Sequence, residues 1–103
     1  MNDVMSEIEG IVKSGRVVLF MKGTEQMPMC GFSGRAIQVL KACGVAEITT
    51  VNVLENETIR QGIKEYSNWP TIPQLYVNGE FVGGSDIMME MYQSGELQQA
   101  LAP

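Results

Sequence analysis

The apolar positions in the first part of the chain switch between a helical and a strand-like spacing. Residues 3 to 14 place apolar side chains on one helical face and Gly15 stops the pattern; these side chains are Val4, Ile8, Ile11 and Val12. Residues 17 to 21 form a continuous run of β-branched, aromatic and other apolar residues, which is typical of a strand buried on both faces. Apolar positions then recur at helical spacing from Cys30 to Cys43. We therefore expect a helix, a strand and a second helix that begins at Cys30.

The middle of the chain repeats this alternation. Residues 48 to 54 are rich in β-branched side chains and predict a second strand. A helix should follow, beginning at Asn56 or Glu57 and ending near Tyr66. Strands and helices in strict succession favour a sheet packed against helices.

The helical pattern ends in the segment that follows this helix. Residues 67 to 73 contain two prolines and cannot be helical, because proline lacks the amide donor and pushes its predecessor into extended geometry. Residues 74 to 77 and 80 to 82 are short strand patterns joined by Asn78-Gly79, a strong hairpin signal. We expect a shaped loop followed by a β-hairpin.

The last helical pattern begins near Asp86, a natural N-cap residue. The residues expected on its apolar face are Ile87, Met88, Met91 and Tyr92. A short helix from Glu96 to Leu101 should follow it. The complete order of elements predicts an α/β fold in which helices flank a mixed four-stranded sheet, and 103 residues suffice for one domain spanning residues 1–103.

Composition and charge narrow the classes of function. The chain is 45% apolar and 18% charged, and it contains no apolar run near the roughly 20 residues that cross a membrane. Its formal charge is −5, and residues 65 to 103 hold five acids and no Lys or Arg. Such a field repels phosphate backbones, so nucleic-acid binding is not expected. The acidic segment is either a solvated face that aids solubility or a docking face for a basic partner.

The first residues of the chain are acidic and have a helical pattern. They lack the basic and apolar segments of a secretory signal and the Arg-rich character of a transit peptide. We therefore expect a soluble protein of the reducing cytoplasm.

The chain contains two cysteines and no histidine, which excludes His-based triads, zinc-protease sites and His-ligated clusters built from this chain alone. Cys30 and Cys43 stand at opposite ends of one predicted helix, a span of about 19 Å. A disulfide requires Cα atoms within about 7 Å, so these two cysteines cannot pair within one folded chain. We expect Cys43, within the apolar stripe, to be structural.

Cys30 is the candidate reactive thiol. Unpaired N–H groups and the dipole at a helix N-terminus stabilise a thiolate and lower its pKa from about 8.5 into the range of about 3.5 to 7.5. Gly31 lets a ligand or a second sulfur approach the backbone closely. In a dithiol redox site a second cysteine three positions on resolves the mixed disulfide, but Ser33 holds that position and a hydroxyl cannot do so. An external thiol is therefore needed.

Three motifs in this order of elements carry a resemblance to a known family. They are Cys30-Gly31-Phe32-Ser33, Trp69-Pro70-Thr71-Ile72-Pro73 and Gly83-Gly84-Ser85-Asp86. Over residues 4 to 101 the chain resembles the monothiol glutaredoxins. The resemblance implies a thioredoxin fold of the glutaredoxin type and a single glutaredoxin domain.

The resemblance also implies a glutathione site. In it, Lys22 and Arg60 bind the glycyl carboxylate, and Ile72, before a cis Pro73, pairs its backbone with the glutathione cysteine. Ser85 and Asp86 receive the γ-glutamyl end, and Gly31 and Phe32 lie beside the ligand. For Lys64 we expect an ordinary surface role. The family often carries a second cysteine where this chain has Ser85, which removes a disulfide by that route and leaves the glutathione site intact.

Two functions of different class follow for Cys30. The first is binding and delivery of a [2Fe-2S] cluster, whose four ligands would be two Cys30 thiolates and two glutathiones in a homodimer that is monomeric without the cluster. The second is glutathione-dependent reduction of mixed disulfides, with Cys30 as nucleophile. A third alternative is an adaptor module without a reactive thiol. For the family, a BolA-type protein and iron–sulfur acceptor proteins are possible partners.

Overall fold

The computed structural model describes residues 3–102, so residues 1, 2 and 103 of the expected domain lie outside the described residues. The helices are α1 Asp3–Val12, α2 Gly31–Ala42, α3 Glu57–Ser67, α4 Ser85–Ser94 and α5 Glu96–Leu101, and a 3₁₀ turn spans Val53–Glu55. The strands are β1 Val17–Met21, β2 Thr49–Asn52, β3 Gln74–Val77 and β4 Glu80–Gly83. None of the helices among these residues is long and apolar enough to cross a membrane.

The four strands form one mixed sheet in the order β2-β1-β3-β4. Strand β1 runs parallel to β2 and antiparallel to β3, with Leu19 opposite Thr50 on one side and Leu75 on the other. Asn78 and Gly79 both have positive φ, as a type I′ turn requires, and they join β3 to β4 in the expected hairpin. The predicted mixed four-stranded sheet flanked by helices is confirmed.

Side chains of β1 enter both halves of the core. Its alternate residues Val17, Leu19 and Met21 pack with the buried faces of α2, α4 and α5. Val18 and Phe20 point to the other side, where they pack with α1 and α3. A strand covered on both faces needs apolar residues at every position, which explains the uninterrupted apolar run.

Strand β2 is shorter than the predicted strand of residues 48 to 54. The side chain of Asn52 accepts a hydrogen bond from the Leu54 N–H and caps the 3₁₀ turn that begins at Val53. This local bond competes with the sheet ladder and ends the strand. The prediction was therefore wrong for residues 53 and 54, and residue 48 also lies outside the strand.

The expected cap of α4 is also wrong. Gly84 is the N-cap residue, and its carbonyl accepts the Met88 N–H, so that Asp86 lies exposed in the first helical turn. Of the predicted apolar face, Met88 is fully buried, and Ile87, Met91 and Tyr92 are partly buried. Asp is preferred over Gly at N-cap positions because its side chain can accept a backbone N–H, and this preference pointed to Asp86 rather than Gly84.

Candidate functional site

A cleft of about 540 Å³ lies where α2, α3 and α4 meet the loop before β3. It is lined by eight of the nine site residues expected from the sequence, namely Lys22, Cys30, Phe32, Arg60, Ile72, Pro73, Ser85 and Asp86. Gly31 is the exception: it is the exposed first residue of α2, and a Cβ there would meet no atom within 4 Å. The open space beside Gly31 agrees with the expected close approach from solvent.

The cleft is also lined by six residues that were not predicted as site residues: Lys64, Trp69, Pro70, Thr71, Gly84 and Ile87. Lys64 is half-buried in the cleft wall rather than on an ordinary solvated surface. The motif Trp69-Pro70-Thr71-Ile72-Pro73 was a signal for this wall, because its two prolines fix the loop that forms it.

Cys30 is the N-cap residue of α2 and has an extended backbone, with its thiol at the cleft. A hydrogen bond from the Ser33 backbone N–H is the main cause that lowers the pKa of the Cys30 thiol. Partial burial opposes this shift, whereas the Phe32 N–H and the charge of Lys22 add to it. The helix start thus favours the thiolate, as the sequence predicted.

Ser33 joins the helix start to the end of β1. Its side chain is fully buried, and its Oγ accepts a hydrogen bond of 3.0 Å from the Lys22 N–H. Its side chain also forms a hydrogen bond with Cys30, the smallest of the causes that lower the thiol's pKa. The residue in the resolving position is therefore a structural link between Lys22 and Cys30.

The segment between β1 and α2 is held by backbone bonds. The Met29 N–H donates to the Lys22 carbonyl over 2.9 Å, and the Gly23 N–H donates to Asn52 Oδ1 over 3.0 Å. Gly23 has a φ of 93°, and a Cβ there would lie 2.5 Å from the Met27 carbonyl oxygen. Only glycine allows this fold of the segment, which delivers Cys30 to the helix start.

The loop before β3 forms the opposite wall. Its Ile72-Pro73 peptide is cis, as expected. The buried side chain of Gln74 donates from Nε2 to the carbonyls of Trp69 and Thr71, each over 3.1 Å. Its Oε1 accepts from the Tyr76 hydroxyl over 3.3 Å. Gln74 was not predicted from the sequence, since a polar residue at the start of a strand gives no signal of such contacts.

Three cations line the cleft: Lys22, Arg60 and Lys64. Arg60 lies 3.9 Å from Glu57 through its Nη1, whereas its Nε is buried and has no partner among the described residues. The buried Oγ of Ser85 has no partner there either. The cleft thus offers positive charge and two unpaired polar atoms to an anionic, hydrogen-bonding ligand.

Cys43 stands at the far end of α2 as its C-cap residue. It is half-buried against the core, and burial raises the pKa of its thiol. Both cysteines are free, and the described residues contain no group of three or more His, Cys, Asp or Glu side chains that could hold a metal ion. Within the described residues, therefore, Cys30 is the only thiol at the cleft.

Comparisons with known proteins agree with this geometry. A family model named Glutaredoxin matches residues 17–82. A ycf64-like uncharacterized monothiol glutaredoxin from Synechocystis is 58% identical over 96% of this chain and 92% of its own length. The mitochondrial monothiol glutaredoxin-5 of Schizosaccharomyces pombe is 59% identical over 91% of this chain and 66% of its own length.

Solved structures show the same fold. Reduced apo GrxS14 of poplar is 56% identical and has a TM-score of 0.80, with 91% of this chain and 85% of that one covered. A buckwheat glutaredoxin solved in complex with glutathione has a TM-score of 0.84 over 96% of this chain and 87% of its own, at 22% identity. The second likeness bears on the fold alone.

The solved structures share the overall fold of this chain. The high-identity relatives are monothiol glutaredoxins, and the structural neighbours have the thioredoxin fold. With Cys30 as the thiol at the cleft and Ser33 in the resolving position, this chain belongs to the glutaredoxin family and is a monothiol glutaredoxin.

Proposed function

We propose that this glutaredoxin binds glutathione and carries a [2Fe-2S] cluster between two copies of the chain. The observation that carries the proposal is one thiol of lowered pKa, Cys30, in a cationic cleft with no resolving thiol among the described residues. Such a site can bind a thiol-containing anion and donate one sulfur ligand, but it cannot complete a dithiol cycle alone.

The cleft suits the chemistry of glutathione. Glutathione has two carboxylates, and Lys22 and the unpaired Nε of Arg60 are the groups we assign to its glycyl carboxylate. We assign the Ile72 backbone to the cysteinyl part of the ligand. Ser85, whose Oγ is unpaired, and Asp86 are assigned to the γ-glutamyl end.

The Cys30 thiol can serve as one ligand of an iron–sulfur cluster if other molecules supply the remaining ligands. A [2Fe-2S] cluster needs four ligands, and a thiolate of lowered pKa such as Cys30 is a suitable one. Cys43 is at the other end of α2 and cannot share a cluster with Cys30 in the same chain. Two Cys30 sulfurs and two glutathione sulfurs would complete the set in a homodimer.

The surface around Cys30 supports a second copy at this site. The exposed large hydrophobic side chains of the described residues are Met27, Met29, Phe32, Leu54 and Trp69. Met27, Met29 and Phe32 are within three positions of Cys30, and Phe32 and Trp69 line the cleft. Exposed apolar side chains gathered at one place favour association. Without cluster we expect a monomer.

Anaerobic reconstitution with iron, sulfide and glutathione tests the cluster proposal. We expect a coloured dimer from the wild type and from Cys43→Ser, and a colourless monomer from Cys30→Ser. The Cys43→Ser variant is the matched control, because it removes the thiol that lies outside the cleft. A colourless wild type, or a coloured Cys30→Ser dimer, would contradict the proposal.

A second candidate function is reduction of glutathione mixed disulfides, which the lowered pKa of Cys30 favours. The Cys30 thiolate would attack the glutathione sulfur and release the substrate thiolate, leaving Cys30 disulfide-bonded to glutathione. A second glutathione thiolate would then attack that glutathione sulfur, giving oxidised glutathione and free Cys30. Turnover of a glutathionylated substrate at background rate would exclude this activity.

The proposal also includes protein partners and a location in the cell. Iron–sulfur acceptor proteins and a BolA-type protein are the proposed partners, and the acids of residues 65 to 103 suit a basic one. We keep the cytoplasm as the proposed location, although named relatives are mitochondrial or chloroplastic. Cell fractionation tests the location, and recovery in an organelle would contradict it.

A further inference from the structure

We infer that Gln74 is a positioning residue that fixes the cleft wall formed by residues 69 to 73. This wall presents Ile72 to the cleft, so the inference rests on the proposed binding of glutathione there. Gln74 does not line the cleft itself. It acts through the loop that it holds.

The hydrogen bonds of Gln74 use both donors and the oxygen of its side-chain amide. An amide nitrogen has two donors, and Nε2 bonds the carbonyls of Trp69 and Thr71. The amide oxygen accepts the Tyr76 hydroxyl. These contacts fix which way the amide points, and they bind both sides of Pro70 to the start of β3. The backbone of Ile72 takes no part in these three hydrogen bonds.

The burial of Gln74 and Tyr76 strengthens the three hydrogen bonds of the Gln74 side chain. Gln74 is 0% exposed and Tyr76 is 1% exposed, so water cannot replace these bonds without opening the core. Burial raises the pKa of Tyr76 to about 12, so that its hydroxyl remains a donor over the physiological range. The Trp69 N–H is held from the other side by Ser67 Oγ over 3.1 Å. The loop is thereby tied to α3 and β3 at once.

Replacing the side-chain amide of Gln74 distinguishes its role in positioning the loop from any effect on the reactivity of Cys30. Glutamate at position 74 has nearly the same shape but no donor when ionised, and it would face two carbonyl oxygens. Methionine has a similar length and no donor, and it suits a buried site. The groups that lower the pKa of Cys30 are Ser33, Phe32 and Lys22, none of which belongs to this wall. Both variants should therefore leave Cys30 reactive.

The first measurement is hydrogen–deuterium exchange of the free protein. In Gln74→Glu and Gln74→Met, we expect the amides of residues 69, 71 and 72 to exchange at least about tenfold faster, with the amides of β1 unchanged; Pro70 has no amide hydrogen. Gln99→Glu places the same change on an exposed site of α5 and should leave the loop at the wild-type rate. If Gln74→Glu does not fold, Gln74→Met decides. Unchanged loop exchange overturns the inference, whether or not glutathione binds.

The second measurement compares glutathione affinity with the rate of Cys30 alkylation. We expect the Gln74 variants to bind glutathione about tenfold more weakly while alkylation at Cys30 keeps its wild-type rate and pH profile. Wild-type affinity in a variant whose loop exchanges faster would overturn the positioning role. A wild type that does not bind glutathione would contradict the proposed function instead, and loop exchange alone would then decide whether Gln74 fixes the wall.

Discussion

Cys30 and Cys43 cap opposite ends of the same helix, and the fold shifts their pKa values in opposite directions. Hydrogen bonds at the helix start lower the pKa of Cys30, and burial raises that of Cys43. Thiol alkylation requires the thiolate, so the rate at Cys30 should reach half its maximum at a lower pH than in the unfolded chain. The rate at Cys43 should reach its half-maximum at a higher pH than in the unfolded chain. Iodoacetamide labelling across pH, read by mass spectrometry, measures both, and equal profiles for folded and urea-unfolded Cys30 would contradict the account.

The pKa shifts of the two cysteines also make the stability of the fold depend on pH. Because the pKa of Cys30 is lower in the folded state, its thiolate stabilises the fold above the unfolded pKa. This contribution disappears as pH falls through the folded pKa. Cys43 has the opposite sign: its raised pKa costs stability once the pH exceeds the unfolded value.

Arg60 should dominate the charge contribution of α3 to ligand binding. Its Nε is buried at the cleft without a partner, so a ligand carboxylate would supply the missing bond. We expect Arg60→Met to weaken glutathione binding about tenfold, a typical loss for a charged hydrogen bond. Arg35→Met is the matched control, because Arg35 is exposed on α2 and does not line the cleft. Calorimetric titration would measure both, and equal losses would contradict a specific role for Arg60.

At the residue scale, the sequence predicted side chains whose chemistry is local and missed those that depend on distant contacts. Cys30 was found because a thiol at a helix start is a local pattern. Gln74 was missed because its role arises from bonds to a loop folded back on it. Lys64 was placed on the surface because helical spacing alone does not reveal which neighbouring element covers that face.

Gly62 is the contact point between two helices. A Cβ on Gly62 of α3 would lie 2.6 Å from Val4 Cγ1 and 2.8 Å from Ile8 Cδ1 of α1. We expect Gly62→Ala to lower the free energy of unfolding by about 1 to 3 kcal/mol, although alanine favours helix. Gly10→Ala on α1 meets no atom within 4 Å and should raise it by about 0.5 to 1 kcal/mol. Urea unfolding measures both, and a stabilised Gly62→Ala would contradict the packing described.

Element boundaries were less predictable than the elements. Apolar periodicity, together with the turn and cap signals, predicted the five α-helices and four strands of the described residues, since periodicity records which faces are buried. The N-cap preference of Asp gave Asp86 as the cap of α4, whereas Gly84 has no side chain to accept a backbone N–H. The β-branched pattern extended β2 into residues 53 and 54 and missed the 3₁₀ turn that the Asn52 side chain starts there.

For the whole molecule, the expectation of a single domain predicts one cooperative unfolding transition. Trp69 is the only tryptophan, and it lies in the cleft wall, so its fluorescence reports the site. Far-ultraviolet circular dichroism reports the helices. The two probes should give the same urea midpoint. A separate, earlier transition of Trp69 would show that the site unfolds independently of the rest and would contradict a single unit.

The mixed sheet followed from the order of elements and the interior position of β1 from its apolar run, but the pairing of β1 with β2 and β3 in particular required the structure. Strand order depends on how distant segments pair, which hydrophobic patterning does not encode. This central position places the end of β1, and with it Lys22, beside both the start of α2 and Asn52 at the end of β2. The cleft is thus a property of the assembled fold.

The central claim is that Cys30 supplies one protein ligand per chain and that glutathione completes the set. The most direct measurement is the composition of the coloured species isolated anaerobically by size: iron, sulfide, glutathione and protein determined together. Four ligands shared by two chains predict one iron, one sulfide and one glutathione for each chain, in a dimer. A coloured dimer without glutathione, or a coloured monomer, would contradict the account.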